Sequence, residues 1–253
     1  PIPAAAARNL GAAAATGEYL LFVDADCLLE PDALERLLEA AQAGYGALVG
    51  GVLPEPHPYW VLCSNLMAFP EYLTLDRAGE RGSLPSFCLM MPRRIWEVIG
   101  GFDESYHPTC EDLDLCFRLR RAGYRLGCAP SAAVRHRSSR ASAGAVWRQH
   151  ALYGKGYYRI QHTYSDIVGP SQAAWLAEHL PRLAAALSVP IAVIFVLRMF
   201  VRRPHMLRFW HALPGLIWIR LAWYDGFRMA STPAPRPGAA VWRGTASPNR
   251  SIP

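Results

Sequence analysis

In Tyr19-Leu20-Leu21-Phe22-Val23-Asp24-Ala25-Asp26, a short apolar run ends in two carboxylates that stand two positions apart. The apolar part predicts a buried strand, and the carboxylates follow its C-terminal end, where α/β sheets build their ligand sites. Carboxylate oxygens suit hard cations such as Mg²⁺ or Mn²⁺, which commonly hold substrate phosphates. The alternative is a solvated acidic pair in a turn after the strand.

The composition indicates a folded chain with a basic, partly membrane-facing surface. The sequence has 253 residues, is 52% hydrophobic and carries a formal net charge of +6. Arginines dominate residues 118–159 and 182–228, where they flank apolar segments. This arrangement favours a membrane surface over nucleic acid, and no nucleic-acid partner is expected. The six cysteines include no CxxC pair, so buried, reduced thiols are expected rather than disulfides.

Strand and helix patterns alternate along the first half of the chain, which predicts an α/β layered domain. One helix is expected to start at Pro31 and to end at Gly44. A further helix over the sheet is expected at 60–75, followed by a polar, mobile loop at 76–83. The other predicted strands lie at 19–23, 47–53, 86–91 and 124–129, and the other predicted helices at 4–15, 92–99 and 112–122.

The last third of the chain has a different pattern. Two apolar runs, 183–197 and 209–224, are flanked by Arg and Trp residues that resemble anchors at a membrane interface. Each run is at the short end of the ~20 residues that a membrane-spanning helix needs. They are interpreted as a spanning or re-entrant pair, with interfacial or buried helices as the alternative. From residue 231 onward the Pro-rich sequence predicts disorder.

A second acidic cluster begins the predicted helix at 112–122. Glu111 and Asp112 lie near its N-terminus, where the helix dipole favours ionised carboxylates. Asp112 shares a helix face with the apolar residues Leu115 and Cys116, which is unusual for a solvated charge. The alternative is that both acids only occupy the first turn, as acidic residues often do.

Two further side chains are candidates for the site. His136 follows a predicted strand and would be a sensible third donor to a metal held by Asp26, although a lone histidine can also be structural. Arg8 is a charged residue in an Ala-rich helix. Its guanidinium could contact a nucleotide or a phosphate, and the alternative is that it lies on the surface.

Taken together and in order, these motifs strongly resemble the inverting family 2 glycosyltransferases of the GT-A fold. The resemblance covers roughly residues 4–136, about half of the chain. It depends on five matching stretches: Ala7-Arg8-Asn9-Leu10-Gly11, Phe22-Val23-Asp24-Ala25-Asp26, Gly100-Gly101-Phe102-Asp103-Glu104, Glu111-Asp112-Leu113-Asp114-Leu115-Cys116-Phe117-Arg118-Leu119 and Gly123-Tyr124.

The resemblance implies a GT-A-like sheet flanked by helices and a role for each candidate residue. Asp26, joined by His136, would bind a divalent metal, Mg²⁺ or Mn²⁺, on the diphosphate of a nucleotide-sugar donor. Asp24 and Arg8 would hold the nucleotide. Asp112 would be the general base that takes the proton of an acceptor hydroxyl, and Glu111 would assist it or position the acceptor. The segment 86–94 would line the acceptor side.

Two departures from the family pattern modify these expectations. The opening strands that carry much of the nucleotide pocket have no counterpart, so the chain is expected to be truncated at its N-terminus and to bind donor poorly or be inactive by itself. The Gln-x-x-Arg-Trp motif of processive members is absent, since Gln149 is followed by His150. The stretch 153–159 lies in the comparable region and favours a non-processive transferase, with a flexible basic loop as the alternative.

The sequence therefore predicts three regions: a GT-A domain at 1–165 that lacks its N-terminal nucleotide-binding strands, a helical, membrane-associated region at 166–230 and a disordered tail at 231–253. The predicted enzyme is a hexosyltransferase-type glycosyltransferase at the cytoplasmic face of the cell membrane. It would move a sugar, with inversion, from a nucleotide-diphospho-sugar to a glycan or lipid-linked acceptor of the cell envelope. The alternatives are a processive polysaccharide synthase and a non-catalytic fragment that binds a glycan or lipid.

Overall fold

The computed structural model describes residues 2–55, 58–169 and 171–231, and it confirms the predicted α/β class. The strands are β1 (Tyr19–Val23), β2 (Cys27–Leu29), β3 (Ala47–Val52), β4 (Gly79–Glu80), β5 (Cys88–Pro92) and β6 (Leu126–His136). The helices are α1 (Ala4–Ala14), α2 (Ala33–Ala41), α3 (Tyr59–Ala68), α4 (Arg93–Ile99), α5 (Glu111–Arg121), α6 (Ala143–Thr163), α7 (Ser165–Val168), α8 (Gln172–His179), α9 (Pro181–Arg202) and α10 (Leu213–Ser231), with a 3-10 helix at Pro204–Ala212.

Within the described residues, six strands form one mixed sheet in the order β1-β5-β3-β6-β2, and β4 pairs with β6. β3 and β6 are parallel, whereas the other pairs are antiparallel. The chain leaves β1 at Val23, turns through the two aspartates and enters β2, whose Cys27 lies opposite His136. This pairing brings the end of β6 to the acidic turn.

The core lies on both sides of the central strands. Every residue of β3 is buried, as a strand covered by helices on both faces requires. Leu37 of α2 and Leu115 and Leu119 of α5 are fully buried in the same apolar cluster. α5 therefore sits with its apolar face on the core, as its sequence predicts.

An aromatic cluster supports the acidic turn from behind. The ring of Phe22 lies 4.9 Å from that of Trp96 and 5.4 Å from that of Phe102. The Asn9 amide donates to the Phe102 carbonyl (2.9 Å) and accepts from the Phe102 N–H (3.0 Å). The asparagine of the Ala-Arg-Asn motif thus fixes α1 to the loop that follows α4.

Three segments show the largest differences between the predicted and the observed boundaries, whereas the helix expected from Pro31 to Gly44 is shorter at both ends (Ala33–Ala41). The helix expected at 60–75 ends at Ala68, and Leu73 instead lies beside Val52 in a parallel bridge. The loop expected at 76–83 contains β4, which pairs with β6. The strand expected at 124–129 continues to His136 because its second half pairs with β2 and β3. In each of the three segments, the boundary differs because the segment forms backbone hydrogen bonds with a strand that is distant in the sequence.

The interpretation of 153–159 as a flexible basic loop is wrong, because this stretch lies inside the 21-residue helix α6. Ser142 caps this helix by accepting a hydrogen bond from the Ala145 N–H. Gly154 and Gly156, the two glycines that suggested a loop, instead allow neighbouring segments to approach α6 closely. A Cβ on Gly154 would lie 2.0 Å from the Trp223 carbonyl oxygen of α10.

The same crossing depends on a glycine of α10. A Cβ on Gly226 would lie 1.8 Å from the carbonyl oxygen of Ala151 in α6. Small residues at a helix crossing allow the two backbones to approach closely. α6 and α10 therefore pack backbone to backbone, and α10 also contacts α3 directly, where the Gly215 N–H donates to the Tyr59 hydroxyl.

The two C-terminal apolar runs have different environments. Among the described residues, α9 is the one helix that is long and apolar enough to cross a membrane, and 22% of its most apolar stretch is buried within the protein. The second run lies in the 3-10 helix and α10, where Leu216, Ile219 and Ala222 are completely buried. The structure thus favours the buried-helix alternative for 209–224. The predicted domain boundary near 165 stays a prediction, and the predicted disordered tail lies, apart from Ser231, outside the described residues.

We expect Gly226→Ala to lower the free energy of unfolding by about 1–3 kcal/mol, because the added methyl group collides with the Ala151 backbone. Urea denaturation followed by far-UV circular dichroism measures the change. Gly11→Ala in α1 is the matched control, since a Cβ there meets nothing within 4 Å. This control should be neutral or stabilising by about 0.5–1 kcal/mol. Equal effects of the two variants would contradict the close crossing.

Candidate active site

The six residues singled out from the sequence come together in one cleft of about 740 Å³. The cleft lies at the end of β1 and continues along α5, α6 and α10. The predicted residues that line it are Arg8, Asp24, Asp26, Glu111, Asp112 and His136. The two acidic clusters, which are 85 or more positions apart in sequence, therefore face a shared space.

Arg8 joins the two acidic clusters. Its guanidinium donates to Asp24 Oδ1 and to Glu111 Oε1, each at 2.6 Å, and its side chain is only 15% exposed. Burial acts to lower the pKa of Arg8, but the two carboxylates outweigh burial and raise it. Arg8 is therefore not a surface arginine. Its predicted contact with the nucleotide stays a prediction, because both terminal nitrogens already bind carboxylates.

Asp112 has the electrostatic environment of a base that works near neutral pH. Burial raises the pKa of its carboxyl to about 7, and the negative charge of Glu111 adds to this shift. The Leu113 N–H, which donates to Asp112 Oδ1 at 2.8 Å, and the charge of Arg8 oppose it. Glu111 is held by Arg8, whereas Asp112 makes no ion pair among the described residues. Asp112 is thus the carboxylate of this pair that is available to a proton.

The third acidic residue of the cluster, Asp114, has a structural role. It is buried, forms an ion pair with Arg118 at 2.7 Å and accepts a hydrogen bond from the Tyr164 hydroxyl. Arg118 also donates to the carbonyl oxygens of Ile99 (2.8 Å) and Gly101 (2.7 Å). These contacts fix α5 against the loop after α4, and they orient Glu111 and Asp112 towards the cleft.

Asp26 and His136 form the part of the cleft that is suited to a cation. His136 Nε2 lies 3.7 Å from Asp26 Oδ1, and its Nδ1 is buried without a hydrogen-bond partner in the described part of the chain. Burial lowers the pKa of His136, so the imidazole is neutral and its lone pair is available. Burial raises the pKa of the adjacent Cys27, which disfavours the thiolate that a metal would need. The donor set that fits a divalent cation is therefore Asp26 and His136.

One wall of the cleft comes from α6 and was missed in the sequence. Gln149, Tyr153 and Tyr157 recur every four residues and line the cleft on one helix face. His150 also lines it and lies 3.0 Å from the Ser64 hydroxyl, and burial lowers its pKa to about 3, so it stays neutral. The spacing of four was the available signal, but the glycines between these residues indicated a loop.

The far end of the cleft is formed by the C-terminal helices. Arg220 and Trp223 of α10 and Phe195 of α9 line the same space as the acidic clusters. The sequence pattern placed these residues in membrane-associated runs, so they were not considered as part of the site. The helices that follow residue 165 therefore complete the cleft.

Comparison with known proteins identifies a matching family and several relatives. The family described as "Glycosyltransferase like family 2" matches residues 4–153. Two relatives are "O-antigen biosynthesis protein RfbC" of Myxococcus xanthus and "N-acetylglucosaminyl-diphospho-decaprenol L-rhamnosyltransferase" of Mycobacterium tuberculosis. The first is 29% identical over 194 residues, and the second is 39% identical over 165 residues.

These matches cover 69% and 56% of the chain, but the chain spans only 15% of the first relative and 54% of the second. Among solved structures, a mannosyltransferase of Pyrobaculum calidifontis in complex with GDP-Man and Mn²⁺ is 18% identical. It matches 85% of the chain and 64% of its own length with a TM-score of 0.47.

The family match includes the Ala-Arg-Asn motif, the acidic turn after β1 and the Glu-Asp pair of α5, and it extends over more than half of the sequence. The predicted resemblance is thereby confirmed: the chain belongs to family 2 of the glycosyltransferases.

Proposed function

We propose that this protein transfers a sugar from a nucleotide-diphospho-sugar to a hydroxyl group of a lipid-linked glycan of the cell envelope, with inversion at the anomeric carbon. The observation that carries the proposal is that Asp26, His136 and Asp112 line one and the same cleft. The curated relatives are named for O-antigen biosynthesis and for a lipid-diphosphate-linked sugar, which supports the envelope assignment.

Asp26 and His136 would hold a divalent cation, Mg²⁺ or Mn²⁺, against the donor diphosphate. When bound, such a cation supplies Lewis-acid stabilisation of the charge on the leaving nucleoside diphosphate. Asp24 is bound to Arg8 and so is less available as a ligand. This division leaves Asp24 and Arg8 on the nucleotide side, next to the cation ligands.

Asp112 would act as the general base. As the acceptor oxygen attacks the anomeric carbon, its proton passes to the Asp112 carboxylate, the new C–O bond forms, and the bond to the diphosphate oxygen breaks. A direct displacement of this kind inverts the anomeric centre. A sugar hydroxyl is a weak nucleophile, and a positioned base contributes about 10²–10⁴-fold to the rate. Because Arg8 holds Glu111, the latter can position the acceptor without competing for the proton.

We further propose that the enzyme adds one sugar at a time at the cytoplasmic face of the membrane. The sequence has no Gln-x-x-Arg-Trp motif after the base, which supports single addition. The apolar residues exposed on α9, beside the cleft, support membrane association. Nucleotide sugars are cytoplasmic, so the cleft would open on that side.

Asp112→Asn should lower kcat/KM by about 10²–10⁴-fold, because the amide cannot accept the acceptor proton. Nucleotide binding should be unchanged, since the donor side of the cleft is intact. Transfer is measured with a panel of nucleotide sugars and a lipid-linked acceptor, and nucleotide binding by isothermal titration. Asp166→Asn, an exposed site outside the cleft, is the control. Turnover of Asp112→Asn equal to that of the control would refute the base assignment.

The rate should also report the raised pKa of Asp112. Because the base acts only when ionised, kcat/KM should fall as the pH drops below about 7. Glu111→Gln removes a negative charge that raises this pKa, so the acidic limb should move to lower pH, by on the order of one unit. The pH dependence of kcat/KM measures the shift, and Glu39→Gln, at an exposed position of α2, is the control. A limb that stays in place or moves to higher pH would contradict the assignment.

Asp26→Asn and His136→Gln should each weaken Mn²⁺ binding on the order of 10-fold or more, because each removes a ligand from a two-residue donor set. Electron paramagnetic resonance of free Mn²⁺, titrated in the presence of UDP or GDP, measures the affinity without turnover. Asp32→Asn removes a carboxylate at an exposed site and serves as the control. Unchanged Mn²⁺ affinity in both variants would show that the cation binds elsewhere.

A further inference from the structure

Arg220 lies in an aromatic cage at the end of the cleft formed by α9 and α10. The central carbon of its guanidinium is 3.8 Å from the ring centre of Phe195, 4.4 Å from that of Trp223 and 4.5 Å from that of Tyr224. Such contacts attract a cation to the ring faces. They also hold the guanidinium in one place beside the cleft that it lines.

This cation has no counter-charge in the described residues. No carboxylate lies within 4.0 Å of its nitrogens, its Nε is buried without a hydrogen-bond partner, and its only described hydrogen bond goes to the Tyr224 hydroxyl at 3.2 Å. In contrast, Arg8 in the same cleft binds two carboxylates. A partly desolvated cation without an anion is costly, and an anionic ligand would remove that cost.

The position of Arg220 separates it from the donor side. Tyr157 of α6 lies between Arg220 and the start of α5, because it packs in the apolar cluster that contains Cys110, the residue before α5, and its ring is 5.5 Å from that of Trp223. Asp112 lies in the first turn of α5, whereas the candidate cation ligands lie in the turn after β1 (Asp26) and at the end of β6 (His136). Arg220 is therefore at the end of the cleft that adjoins the base, which is the end that receives the acceptor.

An apolar surface begins at the same point. Phe195, which covers the Arg220 guanidinium, belongs to α9 and is 38% exposed. Val189, Ile194 and Leu197 of the same helix are about half exposed. A ligand with an anionic group at Arg220 and an apolar chain along α9 matches both features, whereas a purely polar anion would leave the apolar surface unused.

We propose that Arg220 binds the phosphate group of an acceptor sugar that is linked to a polyprenyl phosphate. The lipid chain of this acceptor would lie on the apolar side of α9, and Arg220 would position the acceptor. The inference rests on the proposed function and adds to it the residue that recognises the lipid phosphate. With the phosphate held at Arg220, the sugar attached to it extends along α6 towards Asp112. The contact with Arg220 on α10 thus positions the acceptor hydroxyl next to the Asp112 carboxylate.

The test measures binding of three probes to the intact protein by isothermal titration: farnesyl diphosphate, inorganic pyrophosphate and farnesol. Wild-type protein should bind farnesyl diphosphate more tightly than either partial probe. Arg220→Gln should weaken farnesyl diphosphate binding about 10–100-fold, as loss of a charge-assisted hydrogen bond implies, and should leave farnesol binding unchanged. Arg220→Lys should be intermediate, and Arg202→Gln at the exposed end of α9 is the matched control.

Several results would overturn the proposal. Equal binding of farnesyl diphosphate by Arg220→Gln and wild type would exclude the phosphate contact. If wild-type protein bound farnesol as tightly as farnesyl diphosphate, the protein would recognise the lipid chain alone. If it bound pyrophosphate as tightly as farnesyl diphosphate, Arg220 would belong to a site for free anions. Mn²⁺ and nucleotide binding by Arg220→Gln must equal wild type, which separates a lost contact from misfolding. Because these measurements need no turnover, their outcome is independent of whether sugar transfer is observed.

In turnover experiments, the same contact predicts a selective defect. Arg220→Gln should raise KM about 10–100-fold for a lipid-diphosphate-linked sugar, and leave KM unchanged for the neutral alkyl glycoside of that sugar. A merely structural Arg220 would affect both acceptors alike, and that result would overturn the assignment.

Discussion

The site depends on one guanidinium held between two carboxylates. Arg8 binds Asp24, which follows β1, and Glu111, which begins α5. These two partners lie 16 and 103 positions from Arg8 in the sequence. Without the Arg8 guanidinium, acidic groups from both clusters would face one another in a partly buried cleft and would repel each other. Arg8 therefore allows the two clusters to share one space.

The same bridge gives otherwise similar acids different properties. Asp24 and Glu111 are both paired with Arg8, while Asp26 and Asp112 are left for a cation and a proton, respectively. Burial raises the pKa of Asp112 to about 7, which makes its ionised form a stronger base, and lowers the pKa of His136, which keeps the imidazole neutral. Differences in environment, rather than in residue type, thus separate the metal-binding and base roles.

Much of the site could be predicted because its signals are local. The strand before Asp24, the helix after Glu111 and the order of the motifs all follow from short stretches of sequence, and β1 and α5 form at or within a residue of the expected positions. β2, the extension of β6 and the α6 wall could not be predicted in this way. They depend on pairing or packing with distant segments, as when Gly154 and Gly226 permit the α6–α10 crossing. Arg220 was missed for the same reason, since only tertiary structure brings α10 to the cleft.

The most direct test of this account is a crystal structure of the protein with Mn²⁺ and a nucleoside diphosphate, in which anomalous scattering locates the ion. The account predicts an anomalous peak between Asp26 and His136, with Arg8 still bound to Asp24 and Glu111 and with the Asp112 carboxylate facing the cleft away from the ion. An ion coordinated by Asp112, or an ion outside this cleft, would contradict it.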